Sequence, residues 1–370
     1  MTIYEKRTKR FFKLVIVLLC LLLSTFTLMA CSDKTSQIDK NASDNTGNIP
    51  NKNADVKDEG KDNNNVKLDM IAFEKDNNVY LYDEISKQIK SLGDDSKLKD
   101  LLSVSPDKRN IAFRYFDEGK AAYPPRIVVY NIENKNLVDI VVENKNTQQI
   151  IELKWIDNEN ILVTGHINPS ASGYSVYNLK SKRELVSCVG TIRDIAIDKQ
   201  SILYSKTPHI FPRTKANLYI NNNKVFEAIS DNEEIFDGAM SKDGKILAFR
   251  SWVRNEVDIN GEVTAYLNIA NINGDGKAVS DLKKISISSD TTGDIQFDNK
   301  GTVTIVGDEF IYKLKDNNLI KEQNLLPEKE EVSEQRIKDF KQALAKQFPG
   351  EHISEETLLE DINIWNMVAF

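Results

Sequence analysis

The chain has 370 residues, 40% of them hydrophobic and 28% charged, with a formal net charge of −7 and three cysteines. That is apolar sequence enough for a sizeable core, while the acidic balance excludes the basic face that nucleic acid requires. So few cysteines also exclude a disulfide framework, and stability must rest on burial.

Residues 1–30 read as an export signal. Lys6, Arg7, Lys9, Arg10 and Lys13 make a basic head, and residues 14–28 form an apolar core shorter than a comfortable membrane span. Leu28-Met29-Ala30-Cys31 closes that core and resembles a bacterial lipobox. The resemblance implies cleavage before Cys31 and a diacylglyceryl group on its sulfur. An uncleaved anchor and an ordinary signal with an accidental cysteine are the alternatives. Loss of residues 1–30 takes the net charge from −7 to −11. Cys20 leaves with the signal, so Cys188 is the single thiol of the folded part; it reads as a small buried strand residue, with a reactive thiol as the alternative. Residues 31–66 are Asn, Asp, Lys and Ser with almost nothing apolar, which predicts a disordered tether. Its mean reach is on the order of 30–35 Å.

Residues 67–326 carry a repeat. Asp107, Asp157, Asp198, Asp243 and Asp298 each stand in a polar turn four residues ahead of a β-forming run, at spacings of 50, 41, 45 and 55 residues. The clearest copies are Ser105-Pro106-Asp107-Lys108-Arg109-Asn110-Ile111-Ala112-Phe113-Arg114 and Ser241-Lys242-Asp243-Gly244-Lys245-Ile246-Leu247-Ala248-Phe249-Arg250. An aspartate there accepts a hydrogen bond from the backbone two residues on, so each copy predicts a tight hairpin between two strands. The period is that of a β-propeller blade. Third strands at residues 79–82, 127–130, 174–177, 217–220, 265–269 and 310–312, each holding a tyrosine, count six blades. The expected fold is therefore all-β, a six-bladed β-propeller with a short C-terminal helical extension. The Ser105-to-Phe113 run followed by Ile127-Val128-Val129-Tyr130 resembles the repeat of TolB-type six-bladed propellers, also found in the propeller domains of prolyl oligopeptidases. The resemblance covers about residues 69–326. It implies the fold and little about function, because that fold hosts scaffolds, binders and enzyme gates alike.

The first blade lacks its innermost strand, since Lys67-Leu68-Asp69 stands where the Asp turn belongs. Residues 327–370, a helical tail, are the candidate to complete it. Within residues 327–348, Ile337, Phe340, Leu344 and Phe348 share one helical stripe ended by Pro349-Gly350. A short helix is expected from Ser354 to Leu359, and residues 362–368, Trp365 buried among them, are either the missing strand or more helix.

Chemistry is sparse. There is no Gly-x-Ser-x-Gly, and His166, His209 and His352 have no ligand spacing. Asn271, Asn273, Asp275 and Gly276 match the first half of a calcium loop, but its twelfth position is Leu282 instead of a bidentate glutamate. No catalytic residue, metal or cofactor is expected. The connections after the second strands, residues 115–126, 165–173, 205–216 and 251–263, are long and emerge on one face of a propeller. They carry Tyr123, His166, His209, Phe211 and Trp252, with Arg114 and Arg250 just ahead of two of them. These seven form the candidate ligand- or partner-binding set, unless the loops merely cap the blades. The Asp turns of the opposite face, with Lys108 and Lys242, are expected to take no part.

The resulting expectation is a lipoprotein anchored through Cys31 on the extracytoplasmic face of the cell membrane, whose propeller binds an envelope protein or peptide without catalysis. A binder of a small anionic or glycan ligand at the channel mouth is the alternative, and a propeller-type enzyme the second. Two acyl chains satisfy the two-signal condition for stable attachment, and the acidic domain offers no second affinity. Cys31→Ser is accordingly expected to abolish metabolic labelling with a radioactive fatty acid; unchanged labelling would refute the assignment.

Overall fold

Four of the five repeat aspartates close their hairpins through the same hydrogen bond. Asp107, Asp157, Asp243 and Asp298 accept the backbone N–H two residues on, from Arg109, Glu159, Lys245 and Lys300, at 3.1, 2.7, 3.1 and 2.8 Å. In the two clearest copies a serine completes the turn: Ser105 and Ser241 donate to the aspartate and accept from Asn110 and Ile246. The Ser241 hydroxyl and the Lys245 N–H hold the Asp243 carboxyl below its ordinary range. The residue after the aspartate takes a left-handed conformation, with φ of 62° at Lys108 and 70° at Gly244.

A computed structural model of the chain describes residues 69–116, 124–168, 171–196, 198, 200–206, 215–254, 263–298, 300–324 and 332–370. The predicted signal, lipobox cysteine Cys31 and tether lie outside them. Unit one holds β1 (Met70–Lys75), β2 (Asn78–Asp83) and β3 (Gln88–Ser91). Unit two is β4 (Leu98–Val104), β5 (Asn110–Phe116), β6 (Arg126–Asn131) and β7 (Leu137–Val141). Unit three is β8 (Ile150–Trp155), β9 (Asn160–Asn168), β10 (Ala171–Asn178) and β11 (Arg183–Ala196). β11 continues as the innermost strand of unit four, beside β12 (Ser201–Ser205), β13 (Asn217–Ile220) and β14 (Asn223–Glu227), so these two units share one seven-stranded sheet. Unit five is β15 (Glu233–Met240), β16 (Ile246–Arg254), β17 (Val263–Ile272) and β18 (Val279–Ile287). Unit six is β19 (Asp294–Phe297), β20 (Val303–Val306), β21 (Phe310–Lys315) and β22 (Asn318–Gln323). Then come α1 (Glu334–Gln347), a 3-10 turn (Glu360–Ile362) and β23 (Met367–Ala369), which pairs antiparallel with β1 as the fourth strand of unit one.

The core is a chain of joints between neighbouring sheets. Alternate residues of a strand face opposite sides, so in Ile111-Ala112-Phe113 the phenylalanine packs back on unit one, beside Leu81 and Leu92, while Ala112 faces unit three, beside Trp155 and Val163. Buried clusters of this kind join units three to four, four to five and five to six. In unit one the equivalent triad is Ile71-Ala72-Phe73. Its Phe73 meets no preceding sheet and packs instead on the tail, edge to face with Phe340 at 5.0 Å between ring centroids, with Leu344, Ile362 and Ile364 around it.

Polar contacts fix the tail in place. Lys75, 1% exposed, donates to the Ile362 carbonyl at 2.8 Å and pairs with Glu351 at 2.7 Å and Asp76 at 2.6 Å. Burial works against its charge, but the hydrogen bonds of Asp76 and Glu351 outweigh it and hold the Lys75 pKa above the ordinary lysine value. Glu74 accepts from the Asn366 amide at 2.8 Å and from the Leu102 N–H at 2.5 Å, tying tail, unit one and unit two together.

The helix begins at Glu334, where Ser333 caps it by accepting from Arg336 N–H. Beyond it the tail departs from expectation in three respects. The segment expected as a helix from Ser354 forms turns up to the 3-10 turn, and the strand covers only Met367–Ala369. Trp365 is 74% exposed, and Ile362, Ile364 and Phe370 are the buried anchors. Phe340→Ala is expected to destabilise the domain by about 3–5 kcal/mol, read as a lowered urea midpoint. Trp365→Ala is expected to stay within about 0.5 kcal/mol of the parent; the reverse order would contradict this packing.

Candidate functional site

In units two to six the innermost strand runs towards its Asp turn, so the turns gather at one end of the central axis. There the ends of β8, β11, β15 and β19 enclose a concavity of about 400 Å³. Its walls combine Asp157, Asp194, Asp198 and Lys242 with Ile195, Met240, Ile295 and Phe297. Asp194 is held by the N–H groups of Met240 at 2.6 Å and Ile195 at 2.8 Å. Burial nevertheless pushes its carboxyl above the ordinary range, against the pull of those two donors. Lys242 and Gln296 are exposed at the rim. This concavity lies on the face that the sequence expectation left without a role, and Lys242 is part of it.

Of the seven residues expected to bind, Tyr123, His209 and Phe211 lie outside the described residues. Arg114 and Arg250 are described, and both are clamps between units. Arg250, 5% exposed, pairs with Asp237 through Nε at 2.8 Å and donates to the Thr291 carbonyl at 2.6 Å and to that of Gly293, both leading into unit six. Arg114 pairs with Asp100 and donates to the Ile150 carbonyl of unit three at 2.8 Å. Arg193, which sequence reasoning missed, does the same from unit four, donating to the Ile235 carbonyl at 2.8 Å and to Phe236 of unit five. The signal was present: an aspartate precedes both repeat arginines, at Asp100 and Asp237, in register across the sheet.

His166 and Trp252 are strand residues, not loop residues, because β9 runs to Asn168 and β16 to Arg254. Gly165 and Gly173, which read as loop punctuation, pair across β9 and β10. A 3-10 turn (Lys145–Thr147) lies flat on them, and an added Cβ would come within 2.4 Å of the Thr147 Cα and 2.0 Å of the Asn146 oxygen. His166 is exposed at the end of β9. Trp252 is half-buried against Phe236 at 4.5 Å between ring centroids, and it lines a second depression, of about 730 Å³, with Thr264, Ile287, Ser289 and Asp290. None of the depressions formed by the described residues given above is lined by two of these four candidates.

The sequence signals for metal and thiol chemistry can be placed among the described residues. No three His, Cys, Asp or Glu side chains among them converge as a metal would need. In the run resembling a calcium loop, Asp275 accepts from Lys277 N–H and Asn271 donates to Asp281, an ordinary strand connection. Cys188 is buried between units three and four beside Tyr204, and burial pushes its thiol up to about 12.

Six antiparallel units joined face to face, with inner strands converging on one axis, make this protein a six-bladed β-propeller with a C-terminal helical extension. No protein-family model matches the chain, and no curated protein matches it significantly. Among solved structures it is similar to the β-propeller domain of the Trilobed protease from Pyrococcus furiosus, at 17% identity over 70% of this chain and 83% of that one, TM-score 0.36. It is also similar to TolB from Acinetobacter baumannii, at 16% identity over 70% of this chain and 65% of TolB, TM-score 0.31. Porphyromonas gingivalis dipeptidyl peptidase 4 is similar at 14% identity over 69% of this chain and 44% of the peptidase, TM-score 0.42. At these identities the likeness concerns the fold alone.

Breaking a buried ion pair from one side leaves an uncompensated charge, at a cost of about 3–5 kcal/mol. Arg250→Ala is thus expected to lower the thermal midpoint well below that of Arg254→Ala, whose exposed pair with Glu234 is worth about 0–1 kcal/mol. Equal midpoints would show that the Arg250 clamp does not hold units five and six.

Proposed function

We propose that this protein is a non-catalytic binding protein of the cell envelope, anchored by lipid on Cys31, whose propeller captures a protein or peptide partner. The concavity at the Asp-turn end of the axis carries this reading. It combines a hydrophobic floor of Met240, Ile295 and Phe297 with polar groups at the rim, Lys242 and Gln296, the mixture by which a concave site gains affinity from apolar surface and orientation from a few polar atoms. Four units contribute to it, so its shape is set by the joints between rigid sheets. The anchor itself rests on the lipobox at Leu28-Met29-Ala30-Cys31.

A second reading places the partner on the opposite face. It is favoured by Trp252, an aromatic residue held by Phe236 at the edge of the larger depression.

Affinity capture from an envelope extract with the full chain decides between them. Lys242→Glu is expected to weaken capture of the partner by about 1–3 kcal/mol and to leave the melting temperature unchanged, while Trp252→Ala captures normally. The opposite pattern moves the site to the Trp252 face. Normal capture by both variants, or no specific partner at all, removes the proposal.

A further inference from the structure

The face that unit five turns to unit six does not stop where their joint stops. Alternate residues of a strand share a face, so Ala248, Arg250 and Trp252 of β16 follow one another on it. Across the sheet the register sets out three rows, Ala248–Ile269, Arg250–Leu267–Ile285 and Trp252–Ala265–Ile287. The first two lie in the joint, where Ala248, Leu267 and Ile285 share one buried cluster with Ile295, Val303 and Ile305 of unit six. The third lines the depression of about 730 Å³, together with Val263, Ser289 and Asp290. Ala265 carries only a methyl group, so the row leaves room between the Trp252 ring and Ile287.

Arg250 fixes both sides of this depression. Its guanidinium lies over the Phe236 ring at 4.8 Å, and Phe236 in turn holds the Trp252 indole at 4.5 Å between ring centroids. On the other side Arg250 donates to the carbonyls of Thr291 and Gly293. Thr291 closes a turn in which Ser288 accepts from the Asp290 N–H on its hydroxyl and from the Thr291 N–H on its carbonyl. An aromatic ring and a polar rim are thereby held in place before any ligand arrives. The Ser289 hydroxyl and the Asp290 carboxyl are exposed and hydrogen-bond to no other described residue.

We propose that this depression is a saccharide-binding site, separate from the partner site at the Asp-turn end. A pyranose has a face of C–H groups and a rim of hydroxyls. The C–H groups, partly positive, suit the negative face of the indole. The hydroxyls find an acceptor in Asp290 and a group that both donates and accepts in Ser289. A quaternary cation is held by a cage of several aromatic rings, and here there is one. A wholly apolar ligand would leave the polar rim unpaired.

Calorimetric titration of the full chain with N,N′-diacetylchitobiose, cellobiose and maltose tests this. At least one of the three disaccharides is expected to bind saturably. Trp252→Ala and Asp290→Ala are each expected to raise its Kd at least about tenfold. Asp290 is exposed, so its variant keeps the parental melting temperature and separates lost binding from lost folding. Lys242→Glu is expected to bind the sugar as the parent does, whatever it does to partner capture, so either proposal can fail alone. The saccharide site is overturned if none of the three binds, or if Asp290→Ala binds undiminished. It is also overturned if Lys242→Glu loses the sugar while Trp252→Ala keeps it, which would put the ligand in the concavity at the Asp-turn end.

Discussion

A sheet that is apolar on both faces cannot stand at the end of a row, and this constraint organises the molecule. The triads Ile71-Ala72-Phe73, Ile111-Ala112-Phe113 and Leu247-Ala248-Phe249 show it in miniature: the phenylalanine enters the joint behind, and the alanine leaves room for the joint ahead. Each unit therefore needs a neighbour on both sides. Unit one finds its second neighbour in the tail, with Phe340 standing where the side chain of another sheet would stand. The outer face of unit six mixes Gln296, Lys313 and Glu322 with Ile311 and Ile320.

The arginines follow from the same geometry. Joints between sheets are dry in the middle, and at their margins backbone carbonyls of the incoming strand lack partners. Ile150, Ile235, Thr291 and Gly293 present such carbonyls to Arg114, Arg193 and Arg250. A guanidinium with five donors can hold its own sheet's aspartate and reach across to the next sheet at once. In that position a lysine has one point of attachment too few.

What the sequence made legible was local. An aspartate turn is decided by residues within four positions, so Asp107 and Asp243 declared their hairpins, and tyrosine-bearing runs such as residues 127–130 declared their strands. What stayed hidden depended on partners distant in sequence. Gly165 and Gly173 carry the composition of a loop, and only the backbone of residues 146–147 lying on them explains why they are strand. Arg114 looks alike whether it awaits a ligand or holds Asp100, until β4 is placed beside β5. Trp365 looks like a core residue by type, yet the turn at Asn363, with φ of 60°, directs the flanking Ile362 and Ile364 inward and leaves the indole in water.

These assignments narrow where recognition can occur. A residue that holds a joint cannot be altered by evolution for a ligand without loosening the ring, which removes Arg114, Arg193 and Arg250 from the set free to vary. Residues at the ends of the inner strands are under a weaker constraint, because they cap the axis and join no sheets. Lys242 and Gln296 are of this kind: exposed, on rigid strand ends, beside the apolar floor of the concavity. A scaffold whose joints are fixed by aspartate, arginine and phenylalanine at repeat positions is free to change its specificity at such strand ends, and there the chemistry of a partner is written most cheaply in stability.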